Sequence, residues 1–282
     1  MKVEQLTCAL GAEIKDIRLA EAATNADLAG EINALLLKHK VLFIRDQEMT
    51  DAEHAGIARQ FGELEDHPLA NSAEGEPGII QIWKSPENPP FRYENAWHHD
   101  ATWREIPPMG AVLRCLECPP VGGDTMWANM ELAYDQLPEH VKETIADLRA
   151  RHSMEASFMA AKPIEERLAM KDRYPDPEHP VVRTHPVTGK KSLFVNSFAT
   201  HFTNYHTPSR VRVGQDFTNG SGELLRYLTS QAAIPEYQVR WRWTPNSVAI
   251  WDNRCTQHYA VMDYPSCVRR MNRATIVGDR PF

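Results

Sequence analysis

A chain of 282 residues with 42% hydrophobic content can bury one sizeable core or two small ones. Its 31 Lys and Arg against 38 Asp and Glu leave a formal net charge of −7, which argues against a protein that covers a phosphate backbone with a basic face. Met1-Lys2-Val3-Glu4-Gln5 is not a charged-then-apolar leader, and no run approaches the ~18 apolar residues of a membrane span; a soluble, cytoplasmic protein with no nucleic-acid or membrane partner is expected.

Leu10 to Leu19 reads as a short strand and turn. From Asp27 to Lys40, the residues Leu28, Ile32, Leu35 and Leu36 recur as one apolar helical face, and Val41-Leu42-Phe43-Ile44 follows as a buried strand. Thr50-Asp51-Ala52-Glu53 is a capping box for a second helix, with Ile57, Ala58 and Phe61 on its core side. Glu65 to Asn95, rich in Pro, Gly, Asn and acidic residues, reads as a long irregular loop, a length that is uncommon unless functional. Ala111-Val112-Leu113 reads as a buried strand, and Pro138 begins a helix expected to reach about Arg149. Val181 to Thr184 and Ser192 to Asn196, joined through a Thr188-Gly189 turn, form a hairpin pattern. Glu223 to Ala232 carries Leu224, Leu225 and Leu228 as a further helix. Val239, Trp241 and Trp243 alternate with Arg240 and Arg242, the period of a strand with one buried face, and Val248 to Trp251 is another strand. Strands in both halves, interspersed helices and no βαβ alternation predict a mainly β fold with flanking helices, an antiparallel sandwich or barrel. No linker divides the chain, so residues 1–282 are expected to form a single domain. A homo-oligomer, dimer or tetramer, is expected.

Five cysteines (Cys8, Cys115, Cys118, Cys255 and Cys267) make an odd count that fits reduced thiols better than a disulfide framework. Cys115-Leu116-Glu117-Cys118 has the C-x-x-C spacing of a zinc half-site. It follows a buried strand and precedes Pro119-Pro120, and small core cysteines are the favoured reading.

The most informative string is Trp97-His98-His99-Asp100. On an extended segment His98 and Asp100 share one face and His99 takes the other, so an imidazole and a carboxylate can reach one metal. A second imidazole would complete the two-His-one-carboxylate triad of non-haem Fe(II) oxygenases. His258, after Trp251-Asp252-Asn253-Arg254-Cys255-Thr256-Gln257, is placed to supply it. H-x-D alone is weak among 12 histidines; the remaining pattern strengthens it. In Arg269-Arg270-Met271-Asn272-Arg273, residues Arg269, Met271 and Arg273 share a face while Arg270 points away. Two same-face guanidiniums suit two carboxylate or other anionic groups, one on a dicarboxylate co-substrate and one on the substrate. Thr125, after Gly122-Gly123-Asp124, offers a hydroxyl to the first carboxylate. The same three ligands would also suit a hydrolytic zinc enzyme, and a non-catalytic jelly-roll binding module is the third reading. A serine hydrolase is disfavoured by the lack of a G-x-S-x-G elbow.

Together, Trp97-His98-His99-Asp100, Gly122-Gly123-Asp124-Thr125, Trp251-Asp252-Asn253-Arg254 through His258, Asn272-Arg273-Ala274-Thr275 and His179 to Pro186 resemble the taurine/2,4-D dioxygenase (TauD/TfdA) family. The likeness runs from about Leu10 to the C-terminus. It implies a double-stranded β-helix (jelly-roll) core, Fe(II) held by His98, Asp100 and His258, and 2-oxoglutarate and O2 as co-substrates. Arg269 and Thr125 would then hold the distal carboxylate of 2-oxoglutarate, and Arg273 would meet the acidic group of a small anionic substrate. His67 matches a substrate-anion histidine of the taurine-cleaving members, Asn95 stands near the family's substrate asparagine, and the backbone at Ala101 borders the substrate. Ala70 replaces a tyrosine of the taurine enzymes, and Phe91 to Ala96 is longer and more aromatic than its counterpart. The implied substrate is therefore a sulfonate, sulfate ester, aryloxy or aromatic acid rather than taurine itself, hydroxylated with release of succinate and CO2.

Overall fold

The computed structural model describes residues 1–65, 76–88, 95–155, 159, 162–206, 218–264 and 267–282. Among these the elements run β1 (Lys2–Gln5), β2 (Ala12–Lys15), α1 (Ala26–His39), β3 (Val41–Ile44), α2 (Asp51–Arg59), β4 (Ile79–Lys84), β5 (Gly110–Glu117) and β6 (Thr125–Asn129). They continue with α3 (Met130–Asp135), α4 (Glu139–Ile145), β7 (Arg149–His152), α5 (Ile164–Arg173), β8 (Glu178–Pro180), β9 (Val182–Thr184), β10 (Lys191–Leu193) and β11 (Ala199–Phe202). The chain ends with α6 (Thr218–Ser230), β12 (Gln238–Trp241), β13 (Val248–Asp252), β14 (Thr256–Ala260) and β15 (Arg269–Ile276).

Local chemistry explains where the first helices begin and stop. Asn25 accepts the Leu28 amide at the head of α1, and Lys40 turns left-handed (φ 67°) at its end, so β3 departs at once. At α2 the Thr50 hydroxyl accepts the Glu53 amide (3.2 Å) while the Glu53 carboxylate accepts the Thr50 amide (2.7 Å), the reciprocal box expected from the sequence.

Two sheets carry the architecture. The larger has strand order β1-β2-β3-β13-β5-β15-β4, and a three-stranded sheet has the order β12-β6-β14. Strand alternation sorts their side chains. Val41 and Phe43, Ala111 and Leu113, Ala249 and Trp251, and Met271 leave the large sheet on one side and pack on Trp127, Val239 and Trp241 of the small one. Phe43 stacks on Trp241 with centroids 4.3 Å apart and meets the edge of Trp127 at 5.3 Å. Leu42, Ile44, Val112, Val248, Ile250, Ala274 and Ile276 point the other way, against Ile32 and Leu36 of α1 and Ile57 of α2. A third cluster, Ala128, Met130, Leu137, Ile145, Val181, Leu193 and Leu228, seats α3, α4 and α6 outside the small sheet. The result is a mainly β molecule with flanking helices.

Three expectations need correction. The stretch Glu65 to Asn95 is not one irregular loop. It contains β4, an edge strand paired with β15 from Arg269↔Lys84 to Ala274↔Ile79, whose Ile79-Ile80-Gln81-Ile82 run is hidden by polar flanks. The helix beginning after Pro138 stops at Ile145, and Arg149 already belongs to β7. Trp97 to Asp100 is not a strand: His98 makes a single bridge to His258, and Asp100 sits in a turn. Cys115 is a buried core residue, as expected, and all five cysteines are free. Among the described residues no helix is long and apolar enough to cross a membrane.

Candidate metal centre

The chain passes from the large sheet to the small one through the turn between β13 and β14, and that crossing sets the site. Asp252, fully buried, accepts from Arg254 Nε (2.9 Å) and Nη2 (2.7 Å), from the Arg254 amide (3.0 Å) and from His185 Nε2 (3.0 Å). The Val187 and Thr188 amides donate to His185 Nδ1, which places the His185 proton on Nε2. Burial alone would raise the Asp252 carboxyl; Arg254 and His185 outweigh it and hold it well below the usual carboxylate range. From this rigid corner β14 runs antiparallel to β6 with His258 opposite Trp127. Its amide donates to the His98 carbonyl (2.8 Å), and the His98 amide donates back to the His258 carbonyl (3.1 Å).

Asp100 joins them by a sharp bend in which Ala101 takes a left-handed conformation (φ 46°). Its Oδ1 lies 3.6 Å from His258 Nε2 and 4.0 Å from His98 Nε2, and the two imidazole centroids are 4.2 Å apart. One ligand atom from each of the three residues falls within 4.8 Å of the others. The donor chemistry fits a divalent metal. His98 Nδ1 donates to the Ala96 carbonyl (2.7 Å), so its Nε2 keeps a lone pair facing the cluster. Burial pushes His258 down to about 3, leaving it neutral at physiological pH. For Asp100, burial acts upward, but the Arg273 charge, helped by His258 and His98, holds the carboxyl well below its usual range. Two imidazoles and one anionic carboxylate are the ligand types of a non-haem ferrous site.

The arginines face as the sequence pattern required. Arg269 is buried and Arg270 exposed, Met271 enters the inter-sheet core, and Arg273 is mostly buried. Arg273 forks onto Asp100, Nη2 to Oδ2 at 2.6 Å and Nη1 to Oδ1 at 3.2 Å. Its guanidinium also lies over Trp251, 5.2 Å from the ring centroid, and the same ring is 5.2 Å from the His258 imidazole. Arg269 Nε donates to the Gly123 carbonyl (3.3 Å). The Gly122-Gly123 turn, at φ 80° and 70°, delivers Thr125 buried, its hydroxyl accepting from Trp243 Nε1 (2.9 Å). Asn95 Nδ2 donates to the Ala260 carbonyl on β14 (3.0 Å), and Ala101 is buried next to Asp100. His67 lies outside the described residues, as do Ala70 and Phe91 to Glu94.

His99 takes the opposite side from its neighbours. It is fully buried against Phe194, with Nδ1 accepting from Asn196 Nδ2 (3.2 Å). Sequence reasoning missed Trp251, the shared wall of His258 and Arg273, and Asn253, which bonds the Asp100 backbone. Their proximity to Trp97-His98-His99-Asp100 exists only in three dimensions.

A His-Asp-His cluster beside inward-facing guanidiniums, held where two sheets meet, has the donor set of a 2-oxoglutarate-dependent dioxygenase. Comparison with known proteins agrees. The profile described as "Taurine catabolism dioxygenase TauD, TfdA family" matches residues 2–275, and the chain belongs to that family. It is 34% identical over 280 residues to an alpha-ketoglutarate-dependent sulfate ester dioxygenase of Pseudomonas putida, covering 96% of this chain and 88% of that protein. It is 35% identical over 289 residues to an alkylsulfatase of Acinetobacter baylyi, covering 99% and 86% respectively. The crystal structure of AAD-2 in complex with Mn(II) and N-oxalylglycine superposes with a TM-score of 0.84 at 27% identity, over 100% of this chain and 99% of that one. The enzyme is thus an oxidoreductase that uses Fe(II), 2-oxoglutarate and O2 to hydroxylate a small organic substrate.

Proposed function

We propose that His98, Asp100 and His258 hold the ferrous ion, that Arg269 and Thr125 receive the distal carboxylate of 2-oxoglutarate, and that the substrate is a sulfate ester or sulfonate whose anionic group meets Arg273. The observation that carries this reading is the convergence of both histidine Nε2 atoms on Asp100 Oδ1, with Arg273 on the other oxygen of the same carboxylate. Two relatives named for sulfate-ester chemistry favour that substrate class. His67, Asn95 and the Ala101 backbone complete the proposed substrate contacts. The facing sheets support a double-stranded β-helix (jelly-roll) core, with residues 1–282 acting as one dioxygenase domain. Five free thiols fit a cytoplasmic enzyme, and a homo-oligomer, dimer or tetramer, belongs to the same proposal.

When bound, iron and 2-oxoglutarate supply the oxidising power, with succinate and CO2 as by-products. The protein's own part is placement. The buried Arg269 guanidinium is the carboxylate partner in this reading, and Trp251, in contact with both Arg273 and His258, keeps the substrate-side cation and one imidazole in fixed relation. A sulfate ester hydroxylated at the carbon bearing its ester oxygen becomes a hemiacetal sulfate. That compound expels sulfate and leaves an aldehyde.

The test is a panel of alkyl sulfates, alkanesulfonates, aryloxyacetates and aromatic acids scored for substrate-dependent succinate with added Fe(II). Alkyl sulfates should give succinate, aldehyde and sulfate in equal amounts, and Asp100→Ala should reduce succinate to the no-enzyme level. Full turnover in that variant refutes the ligand assignment; succinate with aryloxyacetates alone refutes the substrate class.

A further inference from the structure

Asn253 is fully buried, and two of its three side-chain hydrogen bonds go to one residue of another segment. Its Oδ1 accepts the Asp100 amide at 2.7 Å, and its Nδ2 donates to the Asp100 carbonyl at 3.2 Å and to the Pro108 carbonyl at 3.0 Å. The Asn253 amide itself donates to the Met109 carbonyl (2.8 Å). A carboxamide matches these partners because it carries one acceptor and two donors, and the amide direction is set by the neighbours: the N–H must meet Oδ1 and the two carbonyls must meet Nδ2. Aspartate keeps the acceptor and loses both donors. Alanine loses all three contacts.

The clamp falls where the backbone most needs one. Asp100 precedes Ala101, which is left-handed without being glycine, a conformation that persists only where surroundings impose it. Thr102, on the far side of the bend, is held independently: its carbonyl accepts from His179 Nε2 (2.8 Å) and its hydroxyl pairs with His152 Nδ1 (2.9 Å). Asn253 also lies in the turn that leads directly into β14 and His258. A single turn therefore places one histidine of the cluster through the chain and the carboxylate of the cluster through an amide.

We propose that Asn253 is the positioning residue of the metal centre, setting the Asp100 carboxylate relative to His258 by bracketing the Asp100 peptide groups. This rests on the assignment of Asp100 and His258 as metal ligands. Outer contacts of this type change metal affinity by about 10- to 100-fold when removed.

The test is Mn(II) titration of the full-length protein followed by electron paramagnetic resonance, comparing Asn253→Ala, Asn253→Asp, Asp100→Ala and Asn129→Ala. Asn129 is the matched control. It too is buried and makes three hydrogen bonds, accepting from the Glu131 and Leu132 amides and donating to the Ala9 carbonyl, but none to Asp100. The expected result is a roughly 10- to 100-fold weaker Mn(II) dissociation constant for Asn253→Ala, a smaller loss for Asn253→Asp, an altered spectrum of bound Mn(II) in both, and wild-type behaviour for Asn129→Ala. If Asn253→Ala does not fold, Asn253→Asp, which has the same shape, supplies the readout. Wild-type affinity in Asp100→Ala overturns the ligand assignment. Loss in Asp100→Ala with wild-type affinity and spectrum in both Asn253 variants overturns the positioning role alone, as does equal weakening in the Asn129 control.

Discussion

Arg273 and Asp100 form a nearly buried ion pair, each side chain 12% exposed, so replacing Arg273 by Met strands a carboxylate without its main counter-charge. Breaking such a pair costs about 3–5 kcal/mol, because the remaining charge is desolvated and unpaired. Taking the lower figure, roughly 3 kcal/mol at 2–4 °C per kcal/mol for a domain of this size gives a melting temperature lowered by about 6–12 °C in the metal-free enzyme. A divalent cation on Asp100 Oδ1 supplies the missing positive charge. Saturating Mn(II) should therefore recover most of the loss, and the Mn(II)-induced rise in Tm should be larger in Arg273→Met than in wild type. The assay is differential scanning fluorimetry of the stripped protein with and without Mn(II). An unchanged metal-free Tm, or a Mn(II)-induced shift equal to that of wild type, refutes the reasoning.

A Cβ at Gly110 would stand 2.1 Å from the Trp251 carbonyl oxygen, on backbone that cannot retreat without parting β5 from β13. Gly110→Ala should lose several kcal/mol in urea unfolding, ~3 or more by analogy with other severe core clashes, and a loss below 1 kcal/mol would show that the strands yield. Burial pushes His54 down to about 4, against an ordinary 6.5, while its Nε2 holds the Val112 carbonyl at 2.9 Å. Because the folded value is the lower one, the unfolded chain takes up the proton first. Stability from this group is intact above pH 6.5 and falls by about 3 kcal/mol as pH drops to about 4. His54→Gln should flatten the wild-type pH–stability curve across that window; parallel curves would remove His54 as a cause. Thr50→Ala, which breaks the α2 capping box, should cost about 1 kcal/mol by the same unfolding assay while leaving 2-oxoglutarate turnover intact, and a neutral effect would contradict the cap.

The chemistry of the centre was legible in the sequence because it depends on residue types in short strings. His98, Asp100 and His258, and the inward set Arg269, Met271 and Arg273, were readable from spacing and strand alternation. The geometry behind the first pair was not. The sequence pattern suggested an extended segment, whereas the chain leaves its bridge after His98 and turns at Asp100 and Ala101, and no turn-forming glycine or proline marks it. The edge strand β4 was lost in its polar flanks. Helix α5 was missed for a different reason: it has no buried residue, and its apolar Ile164 and Leu168 stay exposed. Asn253 was read only as part of a family string, since its partners at Asp100 lie 153 residues away.

That separation has a consequence for when the cluster can form. A growing chain displays His98 and Asp100 long before β13 and β14 are synthesised, and an isolated imidazole and carboxylate hold ferrous ion poorly. Only after the late strands slot between and beside the early ones does His258 arrive, together with the Asn253 amide that bonds the Asp100 backbone. The three-donor cluster is therefore a property of the folded chain and of no shorter segment of it.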